Sequence, residues 1–221
     1  MPIVRSTFSP PFLLRNGHVQ TILPVLLPRR LKVRFTAEVL ELADGDFLHL
    51  AWLRAGHARV AILSHGLESD TDAGYIRGMA QALSAAGWDV LAWCFRGCGP
   101  EPNRLARAYH SGETGDLAAV VECAARDYPR LALIGFSLGG NVTLKYLGEA
   151  PPHPAIAAGV AISAPVDLAA SAAVLDKRLV DRLYLRRFLG NLVAKMEAKA
   201  RRFPHTAVSY THLTLPTKRI V

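Results

Sequence analysis

One seven-residue stretch limits the folds open to this chain more than any other. The apolar run Leu131-Ala132-Leu133-Ile134 passes without a spacer into Gly135-Phe136-Ser137-Leu138-Gly139, and Gly140-Asn141 leads on to Val142 through Gly148. The first segment has the length and branching of a buried strand, and the last reads as a helix packed against it. Strand, Gly-x-Ser-x-Gly, helix is the pattern of a nucleophile elbow. Its two glycines flank a turn so tight that a side chain at either would collide with the neighbouring strand or helix. The serine is thereby held at a strained backbone angle with its hydroxyl exposed above the sheet. The five-residue pattern alone arises by chance, and an ordinary Gly-rich strand-to-helix turn is the alternative. Its position between a buried strand and a helix makes Ser137 the candidate nucleophile.

The flanking sequence supplies a sheet for such an elbow. Residues 31–42 and 46–53 alternate like strands around Ala43-Asp44-Gly45, where Asp-Gly signals a hairpin. A continuous apolar strand follows at 59–64. A helix is expected over Ala73 to Ala86, with Asp70, Thr71 and Asp72 suited to cap it and Gly87 to end it. Further strands are expected at Asp89 to Phe95 and Ile156 to Ser163. Between the first of these and the elbow strand, a helix is expected over Glu113 to Asp127, its first-turn acids Glu113 and Asp116 favoured by the helix dipole. This alternation predicts an α/β fold, a mostly parallel doubly wound sheet opened by an antiparallel hairpin. With 221 residues and 51% hydrophobic content, the chain can bury a full core in one domain.

In such a sheet, the loop after the strand at 59–64 carries His65-Gly66-Leu67, two strands before the elbow strand in sequence. That loop supplies one backbone N–H to an oxyanion hole, and the residue after the nucleophile supplies the other. The amides of Leu67 and Leu138 are the candidates; the other reading has their side chains lining an apolar pocket. Glu68 and Asp70 read as cap or loop residues rather than acid–base groups. His18 reads either as hydrogen-bonded within the N-terminal segment or as reaching a site.

Net charge is +8, but it is not spread over the chain. Most of the excess falls between Asp176 and Arg202, with Lys218 and Arg219 adding the rest, so no basic face runs across the body and no nucleic-acid partner is expected. The basic segment reads either as a solvated helical face or as a surface favouring anionic substrates or lipid. Cys94, Cys98 and Cys123 are too few and too irregularly spaced for a disulfide framework or a zinc site, and no cofactor or metal is expected. No stretch reaches the ~18 apolar residues of a membrane helix. The first fifteen residues lack the basic-then-apolar order of a signal peptide. A soluble, cytoplasmic protein is expected, with no oligomeric state readable.

With these elements placed, the sequence resembles the YheT-like (AB hydrolase-4) family of the α/β-hydrolase superfamily. The resemblance rests on Arg15-Asn16-Gly17-His18-Val19-Gln20-Thr21, on His65-Gly66-Leu67-Glu68, and on Phe95-Arg96-Gly97-Cys98-Gly99 through Pro102-Asn103-Arg104 to Tyr109-His110-Ser111-Gly112-Glu113-Thr114. Gly135 through Asn141 and Ser163-Ala164-Pro165 complete it. It implies a serine hydrolase of carboxylic esters, of short acyl or acylglycerol type, working through a Ser…Asp…His triad and an acyl-enzyme on Ser137. Transfer of the acyl group to another acceptor, or a ligand-binding protein keeping the fold without turnover, are the alternatives. Eukaryotic relatives carry an N-terminal membrane anchor that this chain lacks, which implies a bacterial-type member.

The acid and the histidine of that triad have no convincing candidate here. Asp167 follows the strand after the elbow strand, where some relatives in the superfamily place the acid; Asp176 and Asp181 are further acids beyond Ser137. His153 sits in a proline-rich loop, and His205 lies at the end of what reads as a helical cap. Val208 through Thr217 reads as one frame of a translated sequencing adapter, so residues 208–221 are expected to be non-native, His212 among them. The resulting division is an N-terminal arm at 1–30, a hydrolase core at 31–170, the start of a cap at 171–207 and the tail. The triad partners and later strands are then expected to be lost by truncation. The fragment would be inactive and poorly soluble, with its last strand exposed as an apolar edge.

Overall fold

A computed structural model describes residues 3–27, 31–149, 151–175 and 179–204. The adapter-like tail, Asp176, His205 and the side chain of Asp181 lie outside the described residues. Six strands form one sheet: β1 (Thr36–Glu41), β2 (Phe47–Leu53), β3 (Val60–Ser64), β4 (Asp89–Trp93), β5 (Leu131–Phe136) and β6 (Ile156–Ile162), in the spatial order β1-β2-β4-β3-β5-β6. The β1–β2 and β2–β4 pairs are antiparallel, and β4, β3, β5 and β6 run parallel. This is the mostly parallel sheet opened by an antiparallel hairpin that the alternation of elements predicts, and it fits the α/β-hydrolase fold that the resemblance implies. The hairpin turns at Asp44-Gly45, where Gly45 adopts φ +84° and Asp44 accepts a bond from the Asp46 amide.

Alternate residues of each parallel strand serve opposite faces, as the two-residue period of a strand requires. Val60 and Ile62 of β3 join Leu91 and Trp93 of β4 and Leu131 and Leu133 of β5 in one core. Helices α3 (Gly115–Ala125) and α4 (Leu138–Glu149) close that core with Leu117, Val120, Val121 and Val142. Ala61, Leu63, Val90, Ala92 and Ile134 face the other way, against Ile76 and Ala80 of α2 (Gly74–Ala85). Burying both faces is what permits continuous apolar runs in β3 and β5.

Helix boundaries depart from expectation in three places. The Asp70–Asp72 acids do not cap α2: Ala73 is its N-cap with no side-chain bond, because Asp70 instead accepts from the Asp72 amide and Asp72 pairs with Arg77. Helix α3 starts at Gly115, so Glu113 lies just outside it and pairs with Arg107, while Asp116 turns inward to Arg96. The N-terminal segment forms a 3-10 turn at Phe12–Leu14 and a ten-residue helix, α1 (Gly17–Leu26), capped by Asn16. Its apolar residues Ile3, Val4, Phe8, Phe12 and Leu13 stay exposed.

At the far side, β6 pairs with β5 and, among the described residues, with no other strand; Val160 there is 45% exposed. Beyond it lie α5 (Leu168–Leu175) and the long α6 (Leu179–Arg202). Three cations spaced along α6 point back to the loop after β4. Lys199 Nζ donates to the Ala106 and Arg107 carbonyls, Arg202 to those of Pro102 and Asn103, and Lys195 approaches Cys98 and Glu68. Part of the basic segment therefore anchors a helix, which neither sequence reading of it foresaw.

Candidate active site

The elbow is built by contacts that only glycine permits. A Cβ at Gly135 would stand 2.6 Å from the Gly140 Cα and overlap the Gly139 carbonyl; one at Gly139 would stand 2.5 Å from the His65 oxygen and overlap that of Ser64. Strand β5, helix α4 and the end of β3 thus meet at backbone contact. Ser137, pinched between them, takes φ +50°, a left-handed conformation that costs a non-glycine residue of order 1–3 kcal/mol. Its amide donates to the Ile162 carbonyl and its own carbonyl accepts from Asn141. Backbone bonds hold the strain, while the side chain stays exposed. Its hydroxyl makes no hydrogen bond among the described residues.

The end of β3 lies beside it. A Cβ at Gly66 would touch that of Ser137 at 3.4 Å, so the Gly66–Leu67 turn borders Ser137. The Gly66 carbonyl and the Leu67 amide share one planar trans peptide, so holding the oxygen aims the N–H the opposite way. His65 does the holding. It is fully buried; its Nε2 accepts from the Phe95 amide at 3.1 Å, which leaves the proton on Nδ1 to donate to the Gly66 carbonyl at 2.7 Å. Burial pushes this imidazole down to about 4, against the pull of the Gly66 bond. It is a neutral strut with both nitrogens engaged and cannot serve as a base.

Tyr75 completes the turn: its hydroxyl accepts from the Gly66 amide at 2.9 Å and donates to Ser69, and its ring packs on Phe136 with centroids 4.9 Å apart. Among the described residues no group accepts from the Leu67 or Leu138 amide, and Leu138 opens α4, where backbone N–H groups lack helical partners. An exposed hydroxyl beside two unpaired amides can attack a carbonyl carbon and hold the oxygen that becomes negative.

A buried charge cluster supports the loop above this turn. Arg96 grips Asp116 through Nε at 2.8 Å and Nη2 at 2.7 Å, and reaches Asp44 and Asp46 through Nη1. Its charge is held more firmly than usual, foremost by the Asp116 bonds. Burial pushes the Asp46 carboxyl up, yet bonds from Asn103, Arg104 and Phe47 and the Arg96 charge outweigh it and keep the carboxyl below its ordinary range. Asn103 also accepts from the Gly97 amide. The sequence stretch from Phe95 to Thr114 gave no sign of this role. The one signal available was several charged residues interleaved with glycines at a strand end.

The remaining candidates have other occupations. Asp167 caps α5, accepting from Ala170 at 2.8 Å. His153 accepts from the Ala155 amide in its loop, and His110 accepts from Gly112. No histidine among the described residues bonds the Ser137 hydroxyl. Beside the turn, a polar cleft of ≈ 340 Å³ opens between Glu68, Cys98 and the Asn191–Lys195 face of α6. Burial pushes the Cys98 thiol up to about 11, despite the Lys195 charge, so it stays protonated. Among the described residues no cluster suits a metal ion, and no helix is long and apolar enough to cross a membrane.

Residues 56–213 match the family described as serine aminopeptidase, S33. The candidate esterase YheT of Escherichia coli K12 is 36% identical over 197 residues, covering 86% of this chain and 58% of the relative. Human phospholipase ABHD3 is 25% identical, covering 80% and 46% respectively. The chain spans about half the length of such curated relatives. Among solved structures, an esterase from Pyrococcus furiosus, Pf2001, superposes with a TM-score of 0.59 at 27% identity, covering 72% of this chain and 61% of that one.

Proposed function

Because the chain belongs to the serine aminopeptidase S33 family and has the α/β-hydrolase fold of its YheT-like relatives, we propose that it is a serine hydrolase of carboxylic esters, with Ser137 as the nucleophile. The observation that carries this reading is the strained, exposed Ser137 at φ +50° beside the unpaired amides of Leu67 and Leu138. In the mechanism, Ser137 Oγ attacks the acyl carbonyl as its proton passes to a histidine. The two amides receive the oxyanion, the alcohol departs with that proton, and water then hydrolyses the acyl-enzyme. On this reading the histidine and its orienting acid come from outside the described residues. Without such a base the Ser137 hydroxyl is a weak nucleophile and turnover is poor.

Substrates are short-chain acyl or acylglycerol esters on this reading. It is supported by relatives named as a candidate esterase, phospholipases and, in zebrafish, a monoacylglycerol lipase 29% identical over 163 residues. The test is turnover of p-nitrophenyl esters of increasing chain length by the protein carrying its complete triad. Hydrolysis that falls by on the order of 10⁴-fold or more in Ser137→Ala supports the reading. Turnover of no ester favours a binding protein, and product appearing on an added alcohol in preference to water favours acyl transfer.

A further inference from the structure

Resting on that reading of Ser137, a second layer of the oxyanion turn becomes legible. His65 fixes the peptide before Leu67; the peptide after it is fixed from elsewhere. The Glu68 amide donates to the Tyr109 hydroxyl at 3.1 Å, and that hydroxyl donates back to Glu68 Oε1 at 2.6 Å. The carboxylate accepts the phenolic O–H, which leaves an oxygen lone pair for the amide. Glu68 itself sits at φ +52°, a conformation a glutamate does not hold without reason. Its side chain is 1% exposed, and Lys195 Nζ from α6 lies 2.9 Å from Oε2 as an ion pair. Tyr109 is in turn stacked on Phe95, the residue whose amide binds His65, with ring centroids 5.2 Å apart.

We propose that Glu68 is a positioning residue for the Leu67 amide: the Tyr109 hydroxyl it orients and the Lys195 ammonium laid against it fix the peptide on the far side of Leu67, so the seating of α6 is coupled to the oxyanion hole. A buried carboxylate, a left-handed backbone and a cation from a distant helix meet at one residue. None of the three is needed merely to close the turn, since glycine would take φ +52° without strain.

The test uses the esterase with its complete triad, with kcat measured per active site titrated by a fluorophosphonate, so that misfolded protein does not count. Glu68→Ala and Tyr109→Phe are expected to lower kcat about tenfold with KM within about twofold, because the oxyanion is bound only in the transition state. Glu68→Gln, which still accepts from Tyr109, should recover most of that loss. Lys195→Met should show a smaller fall of the same kind. Should Glu68→Ala fail to fold, Tyr109→Phe and Glu68→Gln carry the comparison. Turnover per titrated site within about twofold of wild type in Tyr109→Phe, or a loss confined to KM, overturns the proposal. Ser137→Ala separates the two readings: if it still turns over, the serine-hydrolase reading falls, whatever Glu68 does.

Discussion

Gly139 sits against the end of β3 so closely that an added Cβ would lie 2.7 Å from the carbonyl carbon of Ser64. That contact brings the helix of the elbow and the strand before the Gly66–Leu67 turn to backbone distance. Gly139→Ala should therefore destabilise the fold by about 3 kcal/mol or more, the cost of overpacking where only backbone can yield. Gly148→Ala is the control, since nothing lies within 4 Å of a Cβ there and alanine is the better helix former. Urea unfolding of the two variants should separate them; equal midpoints would contradict the packing argument.

Ser137 carries strain that glycine would not. Ser137→Gly is expected to raise stability by about 1 kcal/mol while removing the proposed nucleophile, because φ +50° is free of cost without a Cβ. Thermal melts compared with Ser137→Ala, which keeps the strain, would show the gain. A glycine variant no more stable than the alanine variant would mean the turn is relaxed.

Arg96 is 3% exposed and faces three carboxylates. Arg96→Ala leaves Asp46 and Asp116 buried without their counter-charge, a change that typically costs about 3–5 kcal/mol. Arg96→Lys should recover only part, since one ammonium cannot reproduce the paired bonds to Asp116 together with the reach to Asp44. Denaturant midpoints in the order wild type, lysine, alanine are expected, and a lysine variant equal to wild type would count against the bidentate pairing.

How much of this was legible in the sequence differs from residue to residue. The elbow was readable because Gly135 and Gly139 are demanded by local backbone contact, and local demands leave a short pattern. Leu67 and Leu138 could be named together as candidates because β3 pairs with β5, which brings the loop after β3 to the elbow. Arg96, Asp46, Asn103 and Asp116 were not readable as a unit: their partners lie 20 to 57 positions apart, and only the folded sheet brings them together. Lys195, three strands and four helices beyond Glu68, read only as part of a basic run. The Asp70–Asp72 caps failed for a local reason, since Asp70 closes its own turn and so does not reach the helix.

His65 gives stability a pH dependence of definite sign. Its folded-state value of about 4 lies below the ordinary 6.5, so between those limits the unfolded chain binds a proton that the folded chain does not. Stability from this group is complete above about 6.5 and is lost progressively as pH falls toward 4, on the order of 3 kcal/mol in all. Melting temperature should drop across that window in wild type. In His65→Gln it should start lower at neutral pH and drop less. Parallel profiles for the two proteins would remove His65 as the titrating strut.

The central claim is that Ser137 is the nucleophile. The most direct measurement is fluorophosphonate labelling of the protein with its complete triad, followed by peptide mapping. The account predicts one adduct, on the peptide carrying Gly135-Phe136-Ser137-Leu138-Gly139, and none in Ser137→Ala. Equal labelling of the alanine variant, or no adduct on that peptide in wild type, would contradict it.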